Sequence, residues 1–251
     1  MNIIVAVKVV PDDQDVQVAA DGSLDFSRAH QIVSTYDLNA IEAAAQLAKE
    51  TGGTVTAVTV GPKKIDDSKL KKNILARGVD KLVMVADDAC AGLDAHATAL
   101  ELAAAIKGAG DFDLVVCGDG SADDYAQQVD VQLACALGVP SVNAAAKVSV
   151  AGTTLTAVRA LEDVTETVEC DLPCVVAVTP DAAEPRIPGM KDILAAGKKP
   201  MDVAGAPEAP QPALTVVSEK APEATPRGQH VADASDEGAV AAFAAALKAA
   251  L

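Results

Sequence analysis

"DLVVCGDGSADDYAQQVDVQLACALGVP", residues 113–140, reads as strand, loop and helix in succession. An apolar run from Leu114 to Cys117 stops at Gly118-Asp119-Gly120. Val129, Leu133, Ala136 and Leu137 then recur at helical spacing, and Gly138 with Pro140 forms the stop signal. Such a unit presents main-chain N–H groups at the end of a strand, where open α/β sheets bind anions. The spacing predicts a helix beginning at Asp123-Asp124. Two acids in a first turn suit the helix dipole, and Ser121 with Asp124 resembles a capping box. A metal or catalytic role is the competing reading of the acids. The loop holds no lysine. Gly118-x-Gly120 lacks the third glycine of a dinucleotide fingerprint, and no Gly-Lys-Ser/Thr follows it. A phosphate here falls to the N–H groups of Gly120 to Ala122 and to side chains such as Ser121 and Gln128.

Outward from this unit the same alternation recurs. "NIIVAVKVV" (2–10), "TVTAVTVG" (54–61) and "KLVMVA" (81–86) are apolar without a polar face, as strands covered on both sides are. Between them lie helical patterns. Residues 37–53 carry Leu38, Ile41 and Leu47 on one face and end at Gly52-Gly53; residues 66–78 turn Leu70, Ile74 and Leu75 inward; residues 94–108 are rich in alanine. Strand alternating with helix means βαβ units and a parallel, Rossmann-like sheet. Residues 145–178 instead read as short strands with turns at Ala151-Gly152 and Glu162-Asp163, and so as antiparallel additions. Past Pro185 the globular pattern fades. An Ala/Pro/Glu-rich stretch over 204–234 precedes a short amphipathic helix with Phe243 and Leu247 on one side. That stretch cannot offset its own ordering entropy, so it is expected either to be disordered or to lie on a partner, and the closing helix favours the partner. The domain reading is therefore 1–185, 186–203 and 204–251.

Composition narrows the function classes. Among 251 residues there are two Tyr, three Phe and no Trp, and the formal charge is −16. Aromatic platforms for bases are missing and phosphate backbones are repelled, so nucleic acid is not a partner. The acidity suits either solubility or steering toward a basic surface. Five cysteines without a C-x-x-C, with Cys117, Cys135 and Cys174 in apolar runs, read as core thiols in a reducing compartment. No signal peptide or membrane-length apolar run is evident, so a cytoplasmic location is expected. His30, His96 and His230 share no ligand spacing, and no metal site is assigned.

Six ordered blocks together resemble one family. "VAVKVVPD" (5–12), "YDLNAIEAA" (36–44), "VGP" (60–62), "CGDGSADDYAQQV" (117–129), "LEDVTETVECDLPCVVAV" (161–178) and "EPRIPGMKDILAAGKKP" (184–200) stand in the order found in the beta subunit of electron transfer flavoprotein. The version associated with anaerobic carnitine-type reduction systems is the most similar. The resemblance covers residues 1 to about 203 well and the tail loosely. It implies an adenine-nucleotide-binding α/β domain, in a heterodimer whose alpha subunit holds most of the electron-carrying FAD. It also implies an AMP enclosed by this subunit. By the same resemblance, Ala6 and Lys8 after the first strand, and Ser34, Thr35, Tyr36 and Asp37 at a helix start, contact that nucleotide. Val60 adds to them, together with Gly118, Gly120 and Ser121. So does the stretch Asp123, Asp124, Tyr125, Ala126, Gln127, Gln128 and Val129, with Ala134 beyond it. The carboxylates would then accept from ribose hydroxyls and the adenine amino group.

The block around "PRIPGMKDIL" resembles the loop by which the family grips acyl-CoA dehydrogenases or reductases. Pro188, Gly189, Met190, Ile193 and Leu194 are its contact residues, with Met190 at the anchor. Glu166 stands where the family meets the flavin domain of the alpha subunit; a solvated strand charge is its bland reading. Lys191, Lys198 and Lys199 are expected to form a basic spot. Relatives that hold a second FAD and bifurcate electrons from NADH differ at Tyr125, Ala126 and Asp130, which tilts the expectation toward AMP. The expected function is an electron-carrier subunit and not an enzyme. The alternatives are a bifurcating subunit with a second FAD and a free-standing nucleotide sensor similar to universal stress proteins.

Overall fold

The computed structural model describes residues 1–206, 210–223 and 232–250. His230 and residues 224–231 of the expected arm lie outside the described residues. Contacts divide the chain into two units, Met1–Gln17 with Asp25–Ser218, and Val18–Leu24 with Glu219–Leu251.

The first unit is α/β. Its sheet has nine strands: β1 (Asn2–Ala6), β2 (Thr54–Gly61), β3 (Lys81–Ala86), β4 (Leu114–Gly118), β5 (Ser141–Ala151), β6 (Thr154–Ala160), β7 (Thr165–Asp171), β8 (Cys174–Val178) and β9 (Met201–Ala204). Their spatial order is β7-β6-β5-β8-β4-β1-β2-β3-β9. All neighbours from β5 across to β9 pair in parallel. Within this sheet β6 pairs antiparallel with β5 on one side and β7 on the other. The expected antiparallel strands over 145–178 are found in β5, β6 and β7, and only the last run, β8, is corrected to a parallel strand. β8 inserts between β4 and β5, and its unbroken apolar run, buried at every position, is what a strand covered on both faces requires. The chain past Pro185 also departs from its reading, because β9 pairs with β3 through Met201–Ala204.

Helices cover both faces. α1 (Thr35–Thr51) and α2 (Ser68–Leu75) pack Ile41, Leu47, Leu70 and Ile74 against Val5, Ala57, Leu82 and Val116. α3 (Ala95–Ala109) and α4 (Val129–Leu137) pack Leu102, Ile106 and Leu133 against Ile4, Val58, Val115 and Val175 on the other face. The strands alternate the two sets because successive side chains point to opposite faces. Caps set the helix ends. Asp67 accepts from the N–H groups of Lys69 (2.8 Å) and Leu70 (2.9 Å) at the start of α2. Gly52 and Gly138, at φ +68° and +75°, supply the left-handed residue that closes α1 and α4.

α4 begins at Val129, not at Asp123. The two acids therefore lie in the preceding loop, away from any helical first turn, and the expected capping box is not formed. Asp130 is the first-turn acid instead. Cys90, Cys117 and Cys174 are buried, but Cys135 is exposed, on the outer side of α4. Lys199 leaves the expected basic spot and donates to the carbonyls of Leu75 (2.9 Å) and Val79 (2.6 Å), closing the end of α2. Past β8 the chain makes a short helix, α5 (Met190–Ala196), before β9.

In the second unit the N–H of Ala221 donates to the carbonyl of Gly22 at 2.9 Å. Its helix, α6 (Ala239–Ala250), leaves Val240, Phe243 and Leu247 exposed. Among the described residues no helix is long and apolar enough to cross a membrane.

Leu133 is fully buried between α4 and the sheet. Leu133→Ala is expected to lower stability by about 2–5 kcal/mol, read as a fall in the urea midpoint at unchanged slope.

Candidate functional site

The chain leaves β1, builds β2 and β3 on one side, and returns through α3 to place β4 on the other. The strand order reverses between β1 and β4, where an open parallel sheet forms a crevice beyond its carboxyl ends. A crevice is found there, with about 810 Å³ of empty space counting its open mouth. Its walls come from Ala6 to Lys8, Asp37, Val60, the start of α3, the loop after β4 and the first turn of α4.

Asp37 fixes the junction. Its side chain, in the first turn of α1, is 5% exposed and accepts from the Lys8 N–H at 2.6 Å. Burial pushes its carboxyl up to about 7, against the pull of the Lys8 and Gly118 N–H groups. A side chain at Gly118 would meet Asp37 Oδ1 at 2.8 Å and the Tyr36 Cβ at 3.0 Å. Glycine at 118 is thus required by the protein's own packing.

The acidic loop finds its cation far away in sequence. Lys8 Nζ reaches Asp123 (2.8 Å) and Asp124 (2.9 Å), and Ser121 Oγ lies 3.4 Å from it. Burial opposes the Lys8 charge, but the two carboxylates outweigh it and hold the ammonium above its ordinary value. Asp123 is likewise half-buried, yet the ion pair holds it below the usual carboxylate range. On the other side of the loop the Tyr125 hydroxyl donates to Asp119 (3.0 Å), and its ring packs on Tyr36 with centroids 5.0 Å apart. Tyr125 and Gln127 hold φ at +45° and +53°, a conformation costing each non-glycine residue about 1–2 kcal/mol.

The expected site residues divide by position. Ala6, Lys8, Asp37, Val60, Gly118, Gly120, Ser121, Asp124, Ala126, Gln127, Gln128 and Val129 line the crevice. Ser34, Asp123 and Tyr125 are not in the lining but touch residues next to or within it: Ser34 accepts from the Ala122 N–H, Asp123 pairs with Lys8, and the Tyr125 ring rests on Gly120. Thr35 is exposed at the start of α1, and Ala134 is buried in the α3–α4 core and not in the lining. The N–H of Ala122, expected to hold a phosphate, donates instead to Ser34 Oγ at 3.2 Å. That leaves Gly120, Ser121 and the first turn of α4, whose N-cap Gln128 makes no side-chain capping bond. Sequence reasoning missed Leu93, Asp94 and Thr98 at the start of α3, and Asp119 and Asp130. Asp94 before an alanine-rich helix was the available signal: it caps α3 through the Ala97 N–H at 2.8 Å.

Of the described residues lining the crevice, Lys8 alone is basic, against five aspartates. Burial raises the carboxyls of Asp119 and Asp130. Hydrogen-bond acceptors dominate, with one cation and a few open amides for an anion. Such a set fits a ligand with many hydroxyl or amino donors and one small anionic end.

The second candidate surface lies apart. Arg186 donates to Glu42 through Nε (2.5 Å) and Nη2 (2.9 Å), and its carbonyl accepts from Arg77 at 2.6 Å. From this anchor Ile187, Met190, Ile193 and Leu194 project into solvent, with Met190 73% exposed. Pro188 is half-buried, and Gly189 starts α5 with its N–H on Asp192 at 2.9 Å. Glu166 on β7 pairs with Arg159 at 2.7 Å, and the same guanidinium donates to Asn143 Oδ1 at 2.7 Å.

Residues 22–209, well over half of the chain, match a family model described as an electron transfer flavoprotein domain.

Asp37 titrates in the fold about 7 against an ordinary 3.8. The folded state therefore binds the extra proton, and stability falls as pH rises from about 4 to about 7, then levels off. Asp37→Asn is expected to lose that segment of the pH profile and to gain on the parent progressively across it. Urea midpoints at several pH values check this; parallel profiles for the two proteins would refute it.

Proposed function

The chain belongs to the electron transfer flavoprotein domain family, and from that premise we propose that it is the nucleotide-holding beta subunit of a heterodimer. Members of this family carry electrons and do not transform a substrate of their own. FAD, held mainly by the alpha subunit, supplies the redox chemistry when bound. This chain's part is to complete the scaffold around it with an AMP in the β1–β4 crevice.

The observation that carries the reading is the composition of that crevice, acceptor-rich with a single lysine at the switch point. Asp124 and Asp130 accept from ribose and adenine donors, while Lys8 and the amides of Gly120 and Ser121 hold the phosphate. A dinucleotide would bring a second phosphate and a second ring system into a lining with no further basic residue, which favours AMP over a second FAD. The exposed apolar segment from Ile187 to Leu194, braced at Arg186, suits docking to an acyl-CoA dehydrogenase or reductase. Glu166 and Arg159 on the β6–β7 hairpin suit contact with the alpha subunit.

Acid precipitation of the complex co-purified with an alpha subunit is expected to release one AMP and one FAD per heterodimer. Two FAD without AMP would replace this reading with the bifurcating one, and a stable nucleotide-loaded chain that forms no complex would replace it with the sensor. Met190→Ala is expected to slow electron exchange with the dehydrogenase or reductase at unchanged flavin content. Loss of FAD in that variant would contradict the docking role.

A further inference from the structure

The wall of the crevice formed by residues 119–128 is irregular, and one side chain gathers its fastenings. An ideal Cβ on Gly120 would lie 2.2 Å from Tyr125 Cδ2 and 2.5 Å from Cε2. The ring therefore rests directly on the Gly120 backbone. Gly120 is not among the glycines with positive φ, so its lack of a side chain answers to the ring and not to a turn. The same ring packs on Tyr36 with centroids 5.0 Å apart, the hydroxyl is held by Asp119 at 3.0 Å, and Gln127 Nε2 approaches the same hydroxyl at 3.4 Å. Tyr36 and Tyr125 are the chain's two tyrosines. They join the start of α1 to the loop after β4, which are the two segments a crevice between β1 and β4 must keep together.

We propose that Tyr125 is a positioning residue that latches the 119–128 wall onto Tyr36 and thereby sets the rate at which a bound nucleotide leaves. The proposal rests on the nucleotide reading of the crevice. Gly120, Ser121, Asp124 and Gln128 line the site from this wall, so unlatching it withdraws the amides and acceptors together. Lys8, paired with Asp123 and Asp124, is a second tie; it keeps the wall attached when the ring is released. The latch therefore acts on departure of the ligand more than on folding.

The test measures dissociation of radiolabelled AMP from the full-length protein in its complex with the alpha subunit, chased with excess unlabelled AMP. Tyr125→Phe removes only the hydroxyl and is expected to speed release about three- to tenfold, the worth of one ordinary hydrogen bond. Tyr125→Ala and Gly120→Ala are each expected to speed it more than tenfold. The double variant should be no faster than Tyr125→Ala alone, since Gly120→Ala acts through the ring. Tyr36→Phe keeps the ring contact and should release AMP at the parent rate. Should Tyr125→Ala fail to fold, Tyr125→Phe still decides the matter. Unchanged release in the Tyr125 variants, or additive effects in the double variant, overturns the latch while leaving the nucleotide site intact. A parent protein that retains no AMP overturns the nucleotide reading and the latch together.

Discussion

A buried carboxylate at the point where the sheet changes direction holds this molecule's crevice in shape. Asp37 takes the Lys8 N–H at the end of β1, lies against Gly118 at the end of β4, and belongs to the first turn of α1. Three neighbouring elements are thereby tied together at the mouth of the crevice. A carboxylate in such a place is costly unless hydrogen-bonded, and the rise of its pKa measures how incompletely the amides compensate for lost water. Burial of the junction is what lifts this carboxyl toward neutrality.

Around this point the protein uses charge sparingly. A chain with a formal charge of −16 places several aspartates in one crevice and answers them with a single lysine. That lysine serves Asp123 and Asp124 at once. The same economy appears in the segment after β8. One arginine, Arg186, anchors a run of exposed apolar side chains by pairing with Glu42.

Several things were legible in the residues alone. Uninterrupted apolar runs announced parallel strands, and alanine-rich helical periods between them announced crossovers on both faces. The position of the crevice followed, since open parallel sheets form one beyond their strand ends at a helix start. Other elements were read wrongly for identifiable reasons. β8 passed for an antiparallel strand because its neighbours in sequence are antiparallel, although its own pattern is that of a doubly covered strand. α4 starts six residues later than its acids suggest, because a dipole argument applies equally to any helix that could follow. Cys135 passed for a core thiol because one turn of an alanine-rich helix reads as apolar on every side.

The sequence by itself determined the class of fold, the doubly covered sheet and the loop that would form a site, because each depends on local periodicity and on turn residues within a few positions. Tertiary structure alone decided what the loop's acids do and why its glycines are glycines. Lys8 and Asp123 are brought within 2.8 Å across more than a hundred residues, and Gly118 and Gly120 are kept bare by Asp37, Tyr36 and Tyr125. Such pairings depend on which strand ends come to lie side by side. Strand order is a property of the whole packed sheet, and no stretch of sequence contains it.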